Sequence, residues 1–216
     1  FATFTVSPLP VATDIFPEIC ENLPVGSNNV DDVDLTFYDD QIYVGQPNRV
    51  VTWFTDPGYT TAVPDPTNVD GVSDTDQFFA RVRNTITNCE NDATLTFTVN
   101  PRPTANPIAG PTSVCADPDA VVLYQVTTVV PGSTYVWNIP QGAGEFVQFA
   151  GGGINDFFVL INFPNVVTPG LDITVTEFSP DGCPGETQTL TIAVESSPPA
   201  ITIVGPPQVC ANETGV

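Results

Sequence analysis

Apolar and polar residues alternate along this chain in short runs, each closed by turn-forming residues. In the first half the runs are Val33–Tyr38 (VDLTFY), Val50–Phe54 (VVTWF), Phe78–Arg83 (FFARVR) and Ala93–Val99. In the second half they are Ala120–Val126, Ser133–Ile139, Glu145–Phe149, Phe157–Phe163, Leu171–Glu177 and Gln188–Val194. A period of two puts alternate side chains on one face of a strand. Tyr135, Trp137 and Ile139 share one such face, and Leu171, Ile173 and Val175 another. Proline and glycine turns separate the runs, among them Asp56-Pro57-Gly58, Pro131-Gly132 and Pro169-Gly170. No window carries a helical period. Short strands at these intervals predict β-sandwiches, with Trp53 and Trp137 plugging their cores.

One stretch recurs. Thr94–Cys115 (TLTFTVNPRPTANPIAGPTSVC) and Thr189–Cys210 (TLTIAVESSPPAITIVGPPQVC) follow one pattern, 95 positions apart. Leu95/Leu190, Val99/Val194, Pro103/Pro198, Gly110/Gly205, Pro111/Pro206 and Cys115/Cys210 match without a gap. A third copy, FATFTVSPLPVATDIFPEIC, opens the chain and needs a two-residue shift before Cys20. Each copy reads as the last strand of one domain, a proline-stiffened joint and the opening of the next domain. The expected organisation is all-β: tandem Ig-like (PKD-like) sandwiches. Residues 1–10 would be the last strand of a preceding repeat and a linker, 11–101 and 102–196 two repeats, and 197–216 a linker and the start of another. On this reading the chain is an excerpt of a longer array.

Charge narrows the function classes. The chain carries 25 acids, 4 arginines, no lysine and no histidine, a net charge of −21. Such a surface repels nucleic acid, whose phosphates need cations. Without histidine or lysine, serine–histidine, cysteine–histidine and lysine catalysis are closed off. A carboxylate pair is the remaining catalytic option, so no enzyme is expected. No apolar run approaches the ~18 residues that would insert this segment into a bilayer. An apolar fraction of 41% is enough to build cores.

Five cysteines add a staple. Cys20 and Cys89 lie 69 positions apart, and Cys115 and Cys183 lie 68 apart. The matched spacing predicts one disulfide per sandwich, joining the cysteine after each proline joint to the one in the last hairpin. Cys210 would then bond a partner outside the chain. Disulfides call for an oxidising compartment. With no pair at ligand spacing and no histidine, a zinc site is not expected.

The motifs PTSVCADPDAVVLYQV, STYVWNIPQGAG and LDITVTEFSPDGCPGETQTLTIAV resemble PKD-like or Ig-like repeats of very large Bacteroidetes surface proteins. The first repeat, through VVTWFTDPGYTTAVPDPT and QFFARVRNTITNCENDATLTFTVNPRPTA, resembles a companion Ig-like repeat. The resemblance implies export, by the type IX pathway, to the bacterial cell surface. It implies a structural place in an adhesin, a gliding-motility adhesin or a filament. The partners would be neighbouring repeats, or copies associating into fibres.

Two kinds of binding residue remain. Acids cluster at Asp31, Asp32 and Asp34 and again at Asp65, Asp70, Asp74 and Asp76, and of these Asp70, Asp74 and Asp76 are the ones that could hold calcium, the single cofactor candidate. Solvated loop acids are the plain alternative. Tyr59, Phe146 and Phe149 are the aromatics placed to stack on a glycan or pack on a surface ligand. This defines an adhesive alternative to the mechanical spacer.

Overall fold

The computed structural model describes residues 6–139, 148–149, 156–163, 167–198 and 204. The chain divides into two compact units. The first comprises Phe1–Asn106, Thr128–Val136 and Thr176–Gln188; the second comprises Pro107–Thr127, Trp137–Val175 and Thr189–Val216.

In the first unit β1 (Glu18–Cys20), β2 (Asn29–Val30), a 3₁₀ turn (Leu35–Tyr38) and α1 (Asp39–Ile42) precede β3 (Arg49–Phe54) and β4 (Val72–Ser73). Then come β5 (Gln77–Asn84), β6 (Glu90–Thr96) and β7 (Thr98–Asn100). The main sheet is β3-β5-β6, antiparallel throughout. Two short pairs flank it: β2 with β4, antiparallel, and β1 with β7, parallel. Trp53, Phe78, Ala80, Val82, Ala93, Leu95 and Phe97 bury one face, as their alternation requires.

The run Val33–Tyr38 is not one strand: Val33 is extended and bridges Val69, and Leu35–Tyr38 is helical. Asp34 accepts the Thr36 backbone N–H at 2.9 Å, so an extended reading gives way to a capped 3₁₀ turn. Leu35 and Ile42 from this segment are fully buried. Behind them the Trp53 indole N–H donates to Asp39 Oδ1 at 3.0 Å. Burial, with Asp40 and Asp34 adding repulsion, pushes the Asp39 carboxyl up to about 6 despite that bond. A carboxyl raised in the folded state stabilises below its unfolded range and loses that contribution as pH climbs through the folded value. The fold should therefore lose about 2 kcal/mol from this group between pH 4 and pH 7. Asp39→Asn should flatten that limb of a urea-denaturation pH profile.

The downstream strands are β8 (Ile108–Ala109), β9 (Ser113–Cys115), β10 (Asp117–Val126), β11 (Thr134–Asn138), β12 (Gln148–Phe149), β13 (Phe158–Phe163), β14 (Thr168–Phe178) and β15 (Gln188–Glu195). They form two four-stranded sheets, β12-β13-β10-β8 and β11-β14-β15-β9. Tyr135, Trp137 and Ile139 are each buried, as are Leu171, Ile173 and Val175. The recurring Gly-Pro of the joint has a packing cause. A Cβ on Gly110 would run into the Tyr124 ring, and Tyr124 Oη donates to the Pro111 carbonyl at 3.1 Å. Tyr124 is fully buried, so the ring has nowhere to go. Gly110→Ala should cost about 3 kcal/mol in a denaturant melt.

Candidate functional site

The residues that stand out are those around the one disulfide among the described residues, Cys20–Cys183. Both cysteines belong to the first unit. Cys20 ends β1, where it is level with Asn100 of β7. Cys183 sits in a tight turn after β14. Gly182, at φ +84°, donates its N–H to the Ser179 carbonyl at 2.9 Å, and Ser179 Oγ accepts the Cys183 N–H at 3.1 Å. The Cα atoms of the pair are 5.5 Å apart, within the span a disulfide bridges. Cys183 is fully buried, and its sulfur lies 3.7 Å from the Asn100 carbonyl oxygen.

This corrects the expected pairing and the expectation of one bond per sandwich. Cys89 and Cys115 are free, and Cys20 bonds across 163 positions. The reason is strand direction. β1 runs parallel to β7, so it carries Cys20 away from the proline joint to the far end of the sandwich. Cys89 lies in the hairpin before β6, at the near end. The extended chain from Cys89 to the level of Asn100 spans roughly 30 Å, far beyond the ~7 Å a disulfide can bridge. Cys115 is likewise level with Glu195, the last residue of β15. Cys210 lies outside the described residues.

Next to the disulfide, Glu21 is 1% exposed and carries its charge inside. Its carboxylate accepts the backbone N–H of Gly26 at 2.9 Å, of Asn28 at 2.9 Å and of Arg102 at 3.0 Å. Burial alone would raise its carboxyl. The three N–H bonds and the Arg102 guanidinium outweigh burial and hold it below the usual carboxylate range. Glu21 thus ties the start of the repeat to the linker at its end. A lowered carboxyl stabilises above its unfolded range and loses that contribution as pH falls. Glu21→Gln should cost about 2 kcal/mol at pH 7, and the gap between variant and parent should close as urea melts move towards pH 3.

A second buried group follows the linker. Glu177 accepts from Tyr135 Oη at 3.3 Å and from Asn106 Nδ2 at 3.3 Å. Asn106 Nδ2 also donates to the Thr128 carbonyl, and Asn106 Oδ1 accepts the Thr128 N–H at 3.0 Å. Gly185 abuts Pro103 so closely that a Cβ would meet its carbonyl oxygen at 3.1 Å. The disulfide, Glu21 and this network fix residues 100–106 from both sides. None of these polar residues stood out in the sequence, because isolated polar positions have no period.

The acids expected to hold calcium do not converge. Asp70 Oδ1 accepts the Asp32 N–H at 3.1 Å, Asp76 Oδ2 the Ser73 N–H at 2.7 Å, and Asp74 Oδ1 the Val99 N–H at 3.2 Å. Among the described residues no three acidic or thiol groups gather into a metal-holding cluster. Tyr59 is half-buried. The Arg81 guanidinium lies 4.3 Å from its ring centroid, and Phe54 and Phe79 meet its edges. Phe146 falls outside the described residues. For Phe149 the backbone alone is described, level with Ile161. Among the described residues no helix is long and apolar enough to cross a membrane.

Residues 16–103 match the family described as the Flavobacterium inter-domain disulphide bond domain, and residues 101–159 match the PKD-like domain family. No curated protein matches the chain. Among solved structures, the chain is similar to murine CEACAM1b at 11% identity, covering 87% of this chain and 99% of that one, with a TM-score of 0.37. It is similar to Clostridium thermocellum CbhA fibronectin(III)-like modules at 12% identity, with 91% and 96% covered and a TM-score of 0.42. It is also similar to the titin I-band fragment I67–I69 at 13% identity, with 71% of this chain and 56% of that one covered and a TM-score of 0.26. The fold is an all-β Ig- and fibronectin-like sandwich, and the two family matches support Ig-like and PKD-like repeats of the Bacteroidetes kind. Together with the disulfide they mark a structural repeat module of an exported protein.

Proposed function

We propose that this chain is a mechanical spacer: tandem repeats over 11–101 and 102–196 within a large adhesin, stalk or filament on a bacterial cell surface. The carrying observation is the Cys20–Cys183 bond, which spans 163 positions. A pull along the chain passes through two sulfurs instead of through the strands between them. The Glu21 clasp and the Asn106–Glu177 network restrain the same linker without a covalent bond. Export by a type IX route, service in gliding motility and side-by-side association into fibres belong to this reading and draw on the repeat resemblance alone. The test is a module swap in the full-length gene product. Replacing the segment with unrelated tandem Ig-like sandwiches of equal number should leave surface adhesion intact, whereas loss of adhesion with normal display would overturn the spacer role.

A second reading has one observation in its favour. Tyr59, Phe54 and Phe79 cluster beside a groove lined by Arg81, Arg83 and Glu90. An adhesive module could present that face to a glycan or a partner protein, with or without calcium. Binding of the 216-residue chain on a glycan array, lost in Tyr59→Ala, would favour it over the spacer.

A further inference from the structure

We propose that a groove on the first unit, apolar along its floor and acidic along its lip, docks a basic segment of a partner protein. The segment would insert a lysine or arginine side chain together with an apolar neighbour. The groove shares no lining residue with the one beside Tyr59. The inference holds whether or not the chain is a spacer, since a spacer can carry a docking point.

The groove encloses about 360 Å³, with Ile19, Val30, Val33 and Tyr38 as its apolar lining. The capped 3₁₀ turn supplies its wall. Three residues per turn put Leu35 and Tyr38 on one side, so Phe37 is turned away from the core. Phe37 also lines the groove and is 73% exposed. Its ring meets Tyr38 edge to face at 5.3 Å, and Tyr38 meets the buried Phe97 in the same way at 5.8 Å. The exposed ring therefore stands on a base fixed to the core. A single exposed phenylalanine needs no explanation, but one continuous with an apolar groove marks a surface for a partner.

Charge decides the occupant. Asp31, Asp32 and Asp34 line the same groove, and no basic residue does. Asp31 Oδ1 accepts the Gly71 N–H at 2.7 Å and Asp34 Oδ1 the Thr36 N–H at 2.9 Å, which leaves the second oxygen of each for a ligand. The Asp32 carboxylate accepts no bond among the described residues. These groups do not gather at one point, as a metal ion would require. Spaced carboxylates beside an apolar floor suit a long side chain charged at its tip. The stem lies on the floor, the cationic head reaches the acids, and the face of Phe37 adds a cation–π contact. The net charge of −21 draws a basic partner in and turns an acidic one away. A second copy is the wrong occupant. It brings 25 acids against 4 arginines, and Arg81 among these is already paired with Asp92.

The probe is a short fluorescein-labelled peptide of alternating lysine and leucine, titrated into the 216-residue chain at physiological salt. Two comparison peptides replace its leucines by serine or its lysines by glutamate. Fluorescence anisotropy reads affinity, and backbone amide NMR shifts read location. The lysine–leucine peptide should saturate, with shifts confined to residues 19–38 and their immediate neighbours, and both comparison peptides should bind at least tenfold more weakly. Phe37→Ala should weaken binding about tenfold and Asp32→Asn about fivefold, while Arg83→Ala should leave it unchanged. Phe37 and Asp32 are both exposed, and asparagine tolerates the φ of +60° at position 32, so the variants should melt with the parent. The peptide comparison and the shift map decide the matter even if a variant does not fold. Equal binding of the lysine–serine peptide would reduce the contact to bulk charge and overturn the proposal. Shifts spread over the other acidic loops, or no saturation at millimolar peptide, would do the same. A saturable response of these amides to calcium chloride alone would assign the acids to a metal and overturn it as well.

Discussion

Stretched between its termini, the oxidised chain should give up none of the residues between Cys20 and Cys183, and reduction should make all of them extensible. The bond closes 163 positions. At ~3.4 Å per extended residue the added contour length is about 550 Å. A pairing of Cys20 with Cys89 and Cys115 with Cys183 would instead hide 69 and 68 positions, and reduction would release two smaller steps of about 230 Å each. Single-molecule force spectroscopy with and without reductant reads this directly. A reductant-dependent gain of about 550 Å in total supports the shunt. A gain of about 460 Å in total, or no change, would remove the mechanical reading's main support. The effect does not depend on how strong the sandwiches are, because strands inside a covalent loop are not in the line of force.

What the sequence revealed followed from period. Tyr135, Trp137 and Ile139 alternate because one face of β11 is buried, and β10, β13, β14 and β15 betray themselves in the same way. β1 and β9 did not, since three residues (EIC, SVC) are too few to show a period. Those two strands decide where Cys20 and Cys115 end up, so the bond partner was lost with them. The cysteine spacing itself was degenerate. Intervals of 69 and 68 fit bonds within repeats, and they fit equally well a register displaced by one repeat. Alternation also misled at Val33–Tyr38, where a local side-chain bond from Asp34 overrode it. Asp70, Asp74 and Asp76 looked like a cluster in sequence, but each is taken up by a different backbone N–H. Tyr59 read as an open aromatic and is capped by Arg81, a contact that crosses from loop to sheet and leaves no local trace.

Replacing either bonded cysteine by serine should be the most destabilising single change in the chain. For a loop of 163 positions the chain-entropy relation gives about 5 kcal/mol. That approaches the whole stability of an ordinary domain. Cys20→Ser, Cys183→Ser and the double variant should lose the same amount, because one bond is removed in each case and the second substitution has nothing left to break. The urea dependence should steepen in all three, since a denatured chain freed of its loop exposes more surface. Cys89→Ser and Cys115→Ser are the controls. Both thiols are unbonded in the chain, one half-buried and the other exposed, so each should cost under ~1 kcal/mol. Bonds within each repeat would reverse this pattern, making Cys89→Ser as costly as Cys20→Ser. Equilibrium melts of the five variants therefore separate the two connectivities by thermodynamics alone, without a mass spectrometer.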